Sequence, residues 1–208
     1  MNKLILSITL FIPFILLGQN LTFKIDSILS HKMTELNAEK VGFTRKSCTG
    51  FGVNSEGYIF WKKDSIVKLQ KIDFTEYPKE ELITYRPIEL KTDFFFTLLE
   101  GKRYVLQKEK ELKRFQVQVD DVQELDTVST GYIRTSHSCY RNIYIKSKKF
   151  NYSKQFDYFN LAKSLGHSKT EININYEFNK KLKIVESDSL INKELEQIKS
   201  KNKFIIVD

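Results

Sequence analysis

Apolar residues near the start of the chain recur at the spacing of a helix. They are Leu21, Ile25, Ile28, Leu29, Met33 and Leu36. Residues three and four positions apart lie on one face of a helix, so this pattern predicts an amphipathic helix from about Leu21 to Lys40. Gly42 is predicted to end that helix, because glycine readily adopts the conformation that closes a last helical turn.

Strand patterns dominate the middle of the chain. Tyr58–Trp61 and Ser65–Ile72 are rich in aromatic and β-branched residues and flank a short polar stretch, which predicts a hairpin. Apolar and polar residues alternate in Phe115–Val119 and again, over a longer stretch, in Ile172–Phe178. Because successive side chains point to opposite faces of a strand, both segments are predicted to be half-buried strands.

A second helical pattern lies near the end of the chain. Its apolar stripe consists of Leu190, Ile191, Leu195 and Ile198. Ser187–Ser189 is predicted to cap this helix, and Phe204–Val207 is predicted to form a last short strand. The order of helix, antiparallel strands, helix and strand indicates an α+β fold. In it, a curved antiparallel sheet carries an N-terminal and a C-terminal helix packed on one face.

The first residues match the pattern of a secretory signal peptide. Lys3 supplies a positive charge, Leu4–Leu17 is an apolar run, and Gly18–Asn20 follows it with small and polar residues. The apolar run is shorter than the roughly 18 to 20 residues that span a bilayer. We therefore expect a signal peptide at 1–19 and a single α+β domain at 20–208 without a transmembrane segment. The expected location is periplasmic or secreted.

Composition narrows the classes of partner. The chain carries 34 Lys and Arg against 26 Asp and Glu, for a formal net charge of +8, and 41% of its residues are hydrophobic. This apolar content excludes wholesale disorder. The basic residues are scattered among acidic ones, as on an ordinary solvated surface, so no nucleic-acid binding is predicted. The expected partner is a protein or a component of the cell envelope.

Two cysteines are candidates for a covalent link. In an exported protein, Cys48 and Cys139 are predicted to form a disulfide that closes a loop of about 90 residues. The alternative is a Cys139 thiolate activated by His137, since both residues share a face with Arg141 on a regular strand. The histidine and cysteine spacings contain no metal-binding motif. No metal, no cofactor and no catalytic residue is predicted.

Aromatic residues are candidates for a binding surface, because Phe, Trp and Tyr make up 13% of the chain. Tyr58, Trp61 and Tyr158, together with His137, are predicted to offer a platform for a ligand. The alternative is that these aromatic side chains pack in the core and in cross-strand pairs.

Three parts of the chain resemble uncharacterised exported proteins of flavobacteria-like bacteria. They are Leu16–Gln19, then Ser47–Gly52 followed by Gly57–Lys62, and finally Ser136–Arg141. The resemblance implies export and the pairing of the two cysteines, and it supplies no catalytic residue.

The sequence as a whole predicts an exported, disulfide-stapled binding protein of unknown ligand. The lack of a recognisable catalytic set of residues favours this function over an enzyme. Two alternatives remain open, namely a secreted hydrolase and an inhibitor or immunity-type protein that blocks a toxin or hydrolase.

Overall fold

The computed structural model describes residues 27–48, 54–75, 81–119, 129–132, 135, 138–148, 150–165 and 171–207. The predicted signal peptide and His137 lie outside these ranges. The helices are α1 (residues 27–34), α2 (Phe94–Gly101), α3 (Arg103–Lys108), α4 (Tyr176–Asn179) and α5 (Lys183–Lys201), with a 3₁₀ turn at Tyr158–Leu161. The strands are β1 (Lys40–Cys48), β2 (Asn54–Lys63), β3 (Ile66–Thr75), β4 (Glu81–Thr84), β5 (Ile88–Leu90), β6 (Gln116–Val119), β7 (Ser129–Tyr132), β8 (Cys139–Ser147) and β9 (Asn151–Asp157).

Most of the described strands join one open sheet. Their order across it is β4-β3-β2-β1-β8-β9, and β5 pairs with the first part of β3. Strands β6 and β7 form a separate two-stranded sheet. These strand pairs are antiparallel, and helices occur near both ends of the described chain. The predicted α+β class is therefore confirmed.

Helices pack on both faces of the sheet. Phe60 of β2 lies in one buried cluster with Ile191 of α5, and its neighbour Ile59 lies in another with Leu29 of α1. Because neighbouring strand residues point to opposite sides, we call these sides the α5 face and the α1 face. The prediction that both helices share one face is wrong in this detail. Tyr58–Trp61 is a continuous apolar run, which is the pattern of a strand buried on both sides.

Gly42 lies inside β1 and does not end a helix. A Cβ atom added to it would lie 2.2 Å from Cε1 of Phe95. The ring of Phe95 in turn stacks on Phe60 with a centroid distance of 4.1 Å. Gly42 is thus needed for the close approach of α2 to the sheet. The connection between α1 and β1 contains Asn37, whose φ of 51° is a left-handed conformation that asparagine tolerates.

We expect Gly42→Ala to lower the free energy of unfolding by about 1–3 kcal/mol, the usual effect of overpacking a core. Gly101, at the end of α2, provides the matched control because a Cβ there meets no atom within 4 Å. Gly101→Ala is expected to be neutral or slightly stabilising. Urea denaturation of both variants checks this, and equal effects of the two would contradict it.

The segment Ile172–Phe178 does not form the predicted strand. It contains a turn and enters the short helix α4. Its burial is also the reverse of the expected pattern, because Asn173 and Asn175 are buried whereas Ile172 and Ile174 are 50% and 48% exposed.

Asparagine side chains explain this reversal. The amide nitrogen of Asn173 donates to the carbonyls of Asn160 and Ala162 at 3.1 and 3.0 Å, and that of Asn175 donates to the carbonyl of Arg114 at 3.0 Å. Buried asparagines satisfied in this way tie irregular backbone segments together without a strand ladder.

Helix α5 begins before the predicted cap at Ser187–Ser189. The carboxylate of Glu109 accepts hydrogen bonds from the backbone N–H groups of Lys183 and Ile184, the latter at 3.0 Å. A distant side chain therefore satisfies the first turn of the helix. The predicted cap is wrong, because Ser187–Ser189 lies inside the helix and Asp188 is buried there. The local sequence pattern does not include Glu109, which is distant in sequence.

Candidate functional site

The predicted disulfide is present at the end of the β1–β8 pairing. Cys48 and Cys139 are direct cross-strand partners, and their sulfur atoms are bonded across a sequence separation of 91 residues. Nucleophilic catalysis needs a thiolate, which Cys139 does not have while this bond is intact. The structure therefore favours the disulfide over the Cys139–His137 alternative.

The α5 face changes from apolar to charged toward the disulfide. Asp73, Glu56, Lys46 and Arg141 are successive cross-strand partners on β3, β2, β1 and β8. We call these four residues the charged row. It carries two carboxylates at one end and two cations at the other.

A polar stripe of α5 lies along the charged row. Asp188, Asn192 and Lys199 are four and seven residues apart, so they share one side of the helix. Asp188 and Asn192 contact Arg141, whereas Lys199 contacts Glu56. The helix thus places its acid at the cationic end of the row and its lysine at the acidic end, which favours a single register of α5 on the sheet.

Arg141 is the centre of a buried polar cluster. Arg141 and Asp188 are each 3% exposed, and Nε of Arg141 lies 2.6 Å from Oδ1 of Asp188. Nη1 of Arg141 donates to Oγ1 of Thr44 at 3.3 Å, and its Nη2 donates to Oδ1 of Asn192. Each charge offsets the desolvation of the other, so removal of either one leaves an uncompensated buried charge.

Tyr158 completes this cluster. Its hydroxyl donates to Oδ2 of Asp188 at 2.5 Å and accepts from Nε of Arg141 at 3.1 Å. Burial raises the pKa of the Tyr158 hydroxyl, and burial also raises the pKa of the Asp188 carboxyl against the opposing effect of Arg141. Nζ of Lys46 lies 5.6 Å from the centroid of the Tyr158 ring. Tyr158 therefore already interacts with two cations of its own chain, Lys46 and Arg141.

The acidic end of the charged row is a partly exposed ionic network. Oδ2 of Asp73 accepts from Nζ of Lys71 at 2.8 Å and from the hydroxyl of Tyr85 at 2.6 Å. The Glu56 carboxylate lies 3.6 Å from Nζ of Lys71 and 3.4 Å from Nζ of Lys199. The hydrogen bond to Asp73 raises the pKa of Tyr85. These contacts connect β2, β3 and α5, so they act as ties within the fold.

Tyr58 and Trp61, two of the predicted binding residues, lie in the two cores. They are 3% and 5% exposed and belong to clusters on opposite faces of the sheet. Burial raises the pKa of the Tyr58 hydroxyl. A ligand reaches neither ring without displacing core side chains, so both positions match the alternative of core packing.

The outer side of β4 carries a segment that follows α5. The Val207 N–H donates to the carbonyl of Thr84 at 2.9 Å, and the Arg86 N–H donates to the carbonyl of Ile205 at 2.7 Å. Between these two bonds, Tyr85 and Ile206 form an antiparallel bridge. The segment Phe204–Val207, predicted as a last strand, thus extends the sheet by one short pairing, and we call it the edge segment.

The edge segment exposes apolar side chains. Ile205, Ile206 and Val207 are 51%, 50% and 45% exposed. The ring of Phe204 packs edge-on against that of Tyr85, with a centroid distance of 6.2 Å. Phe204 therefore anchors the edge segment, and the three residues after it present apolar surface to solvent.

The backbone of the edge segment also has a free side. Ile205 and Val207 direct polar backbone groups toward β4, so Ile206 between them directs its N–H and C=O outward. Among the described residues, no strand pairs with this outer side. Natural sheets usually block an apolar edge of this kind, because it is a template for another strand.

Within the described ranges, no three His, Cys, Asp or Glu side chains are arranged to hold a metal ion. In the same part of the chain, no helix has both the length and the apolar character needed to cross a membrane. The structure is that of a disulfide-stapled α+β protein with an open edge. Comparisons with protein-family models, with curated proteins and with solved structures found no match to this chain.

Proposed function

We propose that the protein is an exported binding protein that holds a partner protein by strand addition at the edge segment. One observation supports this proposal most directly. Ile205, Ile206 and Val207 are about half exposed, and the N–H and C=O groups of Ile206 point away from the sheet. In strand addition, main-chain hydrogen bonds supply affinity and alternate side chains supply specificity. The disulfide and the predicted signal peptide support export, because disulfides persist in oxidising compartments.

The charges around the edge segment indicate the chemistry of the partner. Lys203 precedes the segment, Arg86 pairs with Ile205, and both cations are exposed. An extended segment that alternates apolar and acidic side chains matches both the cations and the surface of Ile206.

Synthetic peptides test this proposal. We expect a peptide of about ten residues that alternates valine and glutamate to bind the full-length protein saturably in isothermal titration calorimetry. A peptide of the same length that alternates valine and lysine is expected not to bind. The Ile206 amide is expected to become protected from hydrogen exchange in the complex, because it donates to the peptide backbone.

Variants of the edge segment separate strand addition from general attraction. Ile206→Pro removes the outward donor and is expected to weaken peptide binding by at least about tenfold. Lys203→Glu is expected to weaken binding of the acidic peptide, whereas Lys63→Glu at the far end of β2 provides the control with the same change of charge. Binding that survives Ile206→Pro unchanged, or a dimer in sedimentation experiments that the peptide does not disrupt, would overturn the proposal.

A further inference from the structure

A second candidate site is a cleft of about 440 Å³ where β1 begins. It lies between the start of β1, the junction of α2 with α3, and the turn from β8 to β9. Its lining includes Glu39, Lys40, Glu100, Arg103, Lys148 and Phe150. The volume falls within the range of small-molecule sites.

Neighbouring carboxylates only partly balance the positive charge of this cleft. Nζ of Lys40 pairs with Oε2 of Glu100 at 2.5 Å, so these two residues compensate each other. In the part of the chain that the structure describes, neither Arg103 nor Lys148 forms an ion pair with a carboxylate. Two cations on opposite walls are therefore available to an anion.

Local contacts orient Arg103 and fix the turn that carries Lys148. Nη2 of Arg103 donates to the hydroxyl of Tyr104 at 2.8 Å, and its guanidinium carbon lies 4.6 Å from the centroid of that ring. On the other wall, the Ser147 N–H donates to the carbonyl of Phe150 at 2.9 Å, and the Phe150 N–H donates to Oγ of Ser147 at 3.1 Å. These two bonds close the turn that presents Lys148, and the Phe150 side chain is 3% exposed below it.

We propose that this cleft binds a phosphorylated polyol. The guanidinium of Arg103 matches two phosphate oxygens with paired N–H donors, and Lys148 adds a second positive charge. The carboxylates of Glu39 and Glu100 accept hydrogen bonds from the hydroxyls of the ligand. Glu39 and Glu100 would repel a ligand that carries only anionic groups, whereas hydroxyl groups donate to them, which favours a ligand that carries hydroxyl groups as well.

Phosphorylated polyols occur as free small molecules and as headgroups of anionic lipids, and both share the chemistry that the cleft recognises. The first probe is glycerol 3-phosphate, titrated calorimetrically into the full-length protein. We expect saturable binding that is tighter than that of inorganic phosphate or of glycerol. Arg103→Gln and Lys148→Gln are each expected to weaken it by at least about tenfold. Lys163→Gln removes the same charge from an exposed position beyond the opposite end of β9 from the cleft and is expected to change nothing.

Vesicles distinguish the two sources of the ligand. We compare phosphatidylcholine vesicles that contain phosphatidylglycerol with vesicles that contain the same amount of phosphatidylserine, whose headgroup carries a similar charge without the glycerol. Selective binding to phosphatidylglycerol, with competition by glycerol 3-phosphate, supports a lipid headgroup, and binding of glycerol 3-phosphate alone supports a free ligand. If no probe binds saturably, or if Lys163→Gln weakens binding as much as Arg103→Gln does, the proposal is overturned.

Discussion

Arg141→Met is expected to lower the free energy of unfolding by about 3–5 kcal/mol, the usual effect of leaving a buried charge without its partner. Methionine fills most of the volume of the arginine stem, so the loss is mainly electrostatic. Asp188 is 3% exposed and would keep the hydrogen bond from Tyr158 but lose the cation 2.6 Å from its carboxylate. Urea denaturation of the two proteins measures the difference.

The double variant Arg141→Met/Asp188→Asn is the matched control for this prediction. It carries no buried charge, and the asparagine retains an oxygen that accepts from Tyr158. Because replacing both members of a buried ion pair costs far less than removing one, we expect the double variant to regain much of the lost stability. A double variant no more stable than Arg141→Met would show that the loss comes from packing.

The pH dependence of Arg141→Met identifies the unpaired carboxylate. Burial already raises the pKa of Asp188, and loss of the arginine is expected to raise this pKa further. An acid whose pKa is higher in the folded than in the unfolded state destabilises the fold as pH rises through that interval. The deficit of the variant should therefore be largest at neutral pH and shrink toward the unfolded pKa of about 4. A deficit that does not vary with pH would contradict this assignment.

Patterns that depend on local geometry predicted much of the fold. The hairpin expected from Tyr58–Trp61 and Ser65–Ile72 is β2 and β3, and the alternation in Phe115–Val119 contains β6. These predictions succeed because a strand buried on one face alternates apolar and polar residues, and a strand buried on both faces is apolar throughout. The antiparallel α+β class follows from the order of such elements.

The errors arise where distant residues decide the local structure. The alternation in Ile172–Phe178 has the period of a strand, but its asparagines bind backbone groups of segments more than ten residues away. The local sequence likewise predicts that Gly42 ends a helix. The actual reason for glycine there is the ring of Phe95, which is distant in sequence and leaves no room for a Cβ atom. In both cases tertiary contacts outweigh local preference.

The polar cluster around Arg141 was only half predictable for the same reason. Strand alternation places Arg141 on the same face as Cys139, next to the predicted disulfide. Its partner Asp188 is 47 positions further along the chain, and it faces Arg141 because the apolar stripe of α5 packs on the sheet. The spacing of Asp188 and Asn192 beside that stripe was the available signal, but it names no partner.

Replacing Cys48 and Cys139 together with serine is expected to lower the free energy of unfolding by about 2–5 kcal/mol. The two residues are separated by 91 positions, so the bond restricts the unfolded chain over nearly half of its length. In the folded protein, the same strands are already held together along the rest of the β1–β8 pairing. The expected loss therefore comes mainly from a larger unfolded ensemble.

If the loss of stability arises in the unfolded ensemble, the folded state of the double serine variant should be unchanged, which makes a further test possible. Its peptide binding at the edge segment, measured well below the denaturation midpoint, is expected to equal that of the parent protein. Reductant is expected to destabilise the parent protein by the same amount and to leave the serine variant unaffected. Lost peptide binding in the folded variant would show that the disulfide also shapes the native sheet. A parent protein that keeps its full stability under reductant would contradict the prediction, because the bond would then contribute nothing measurable.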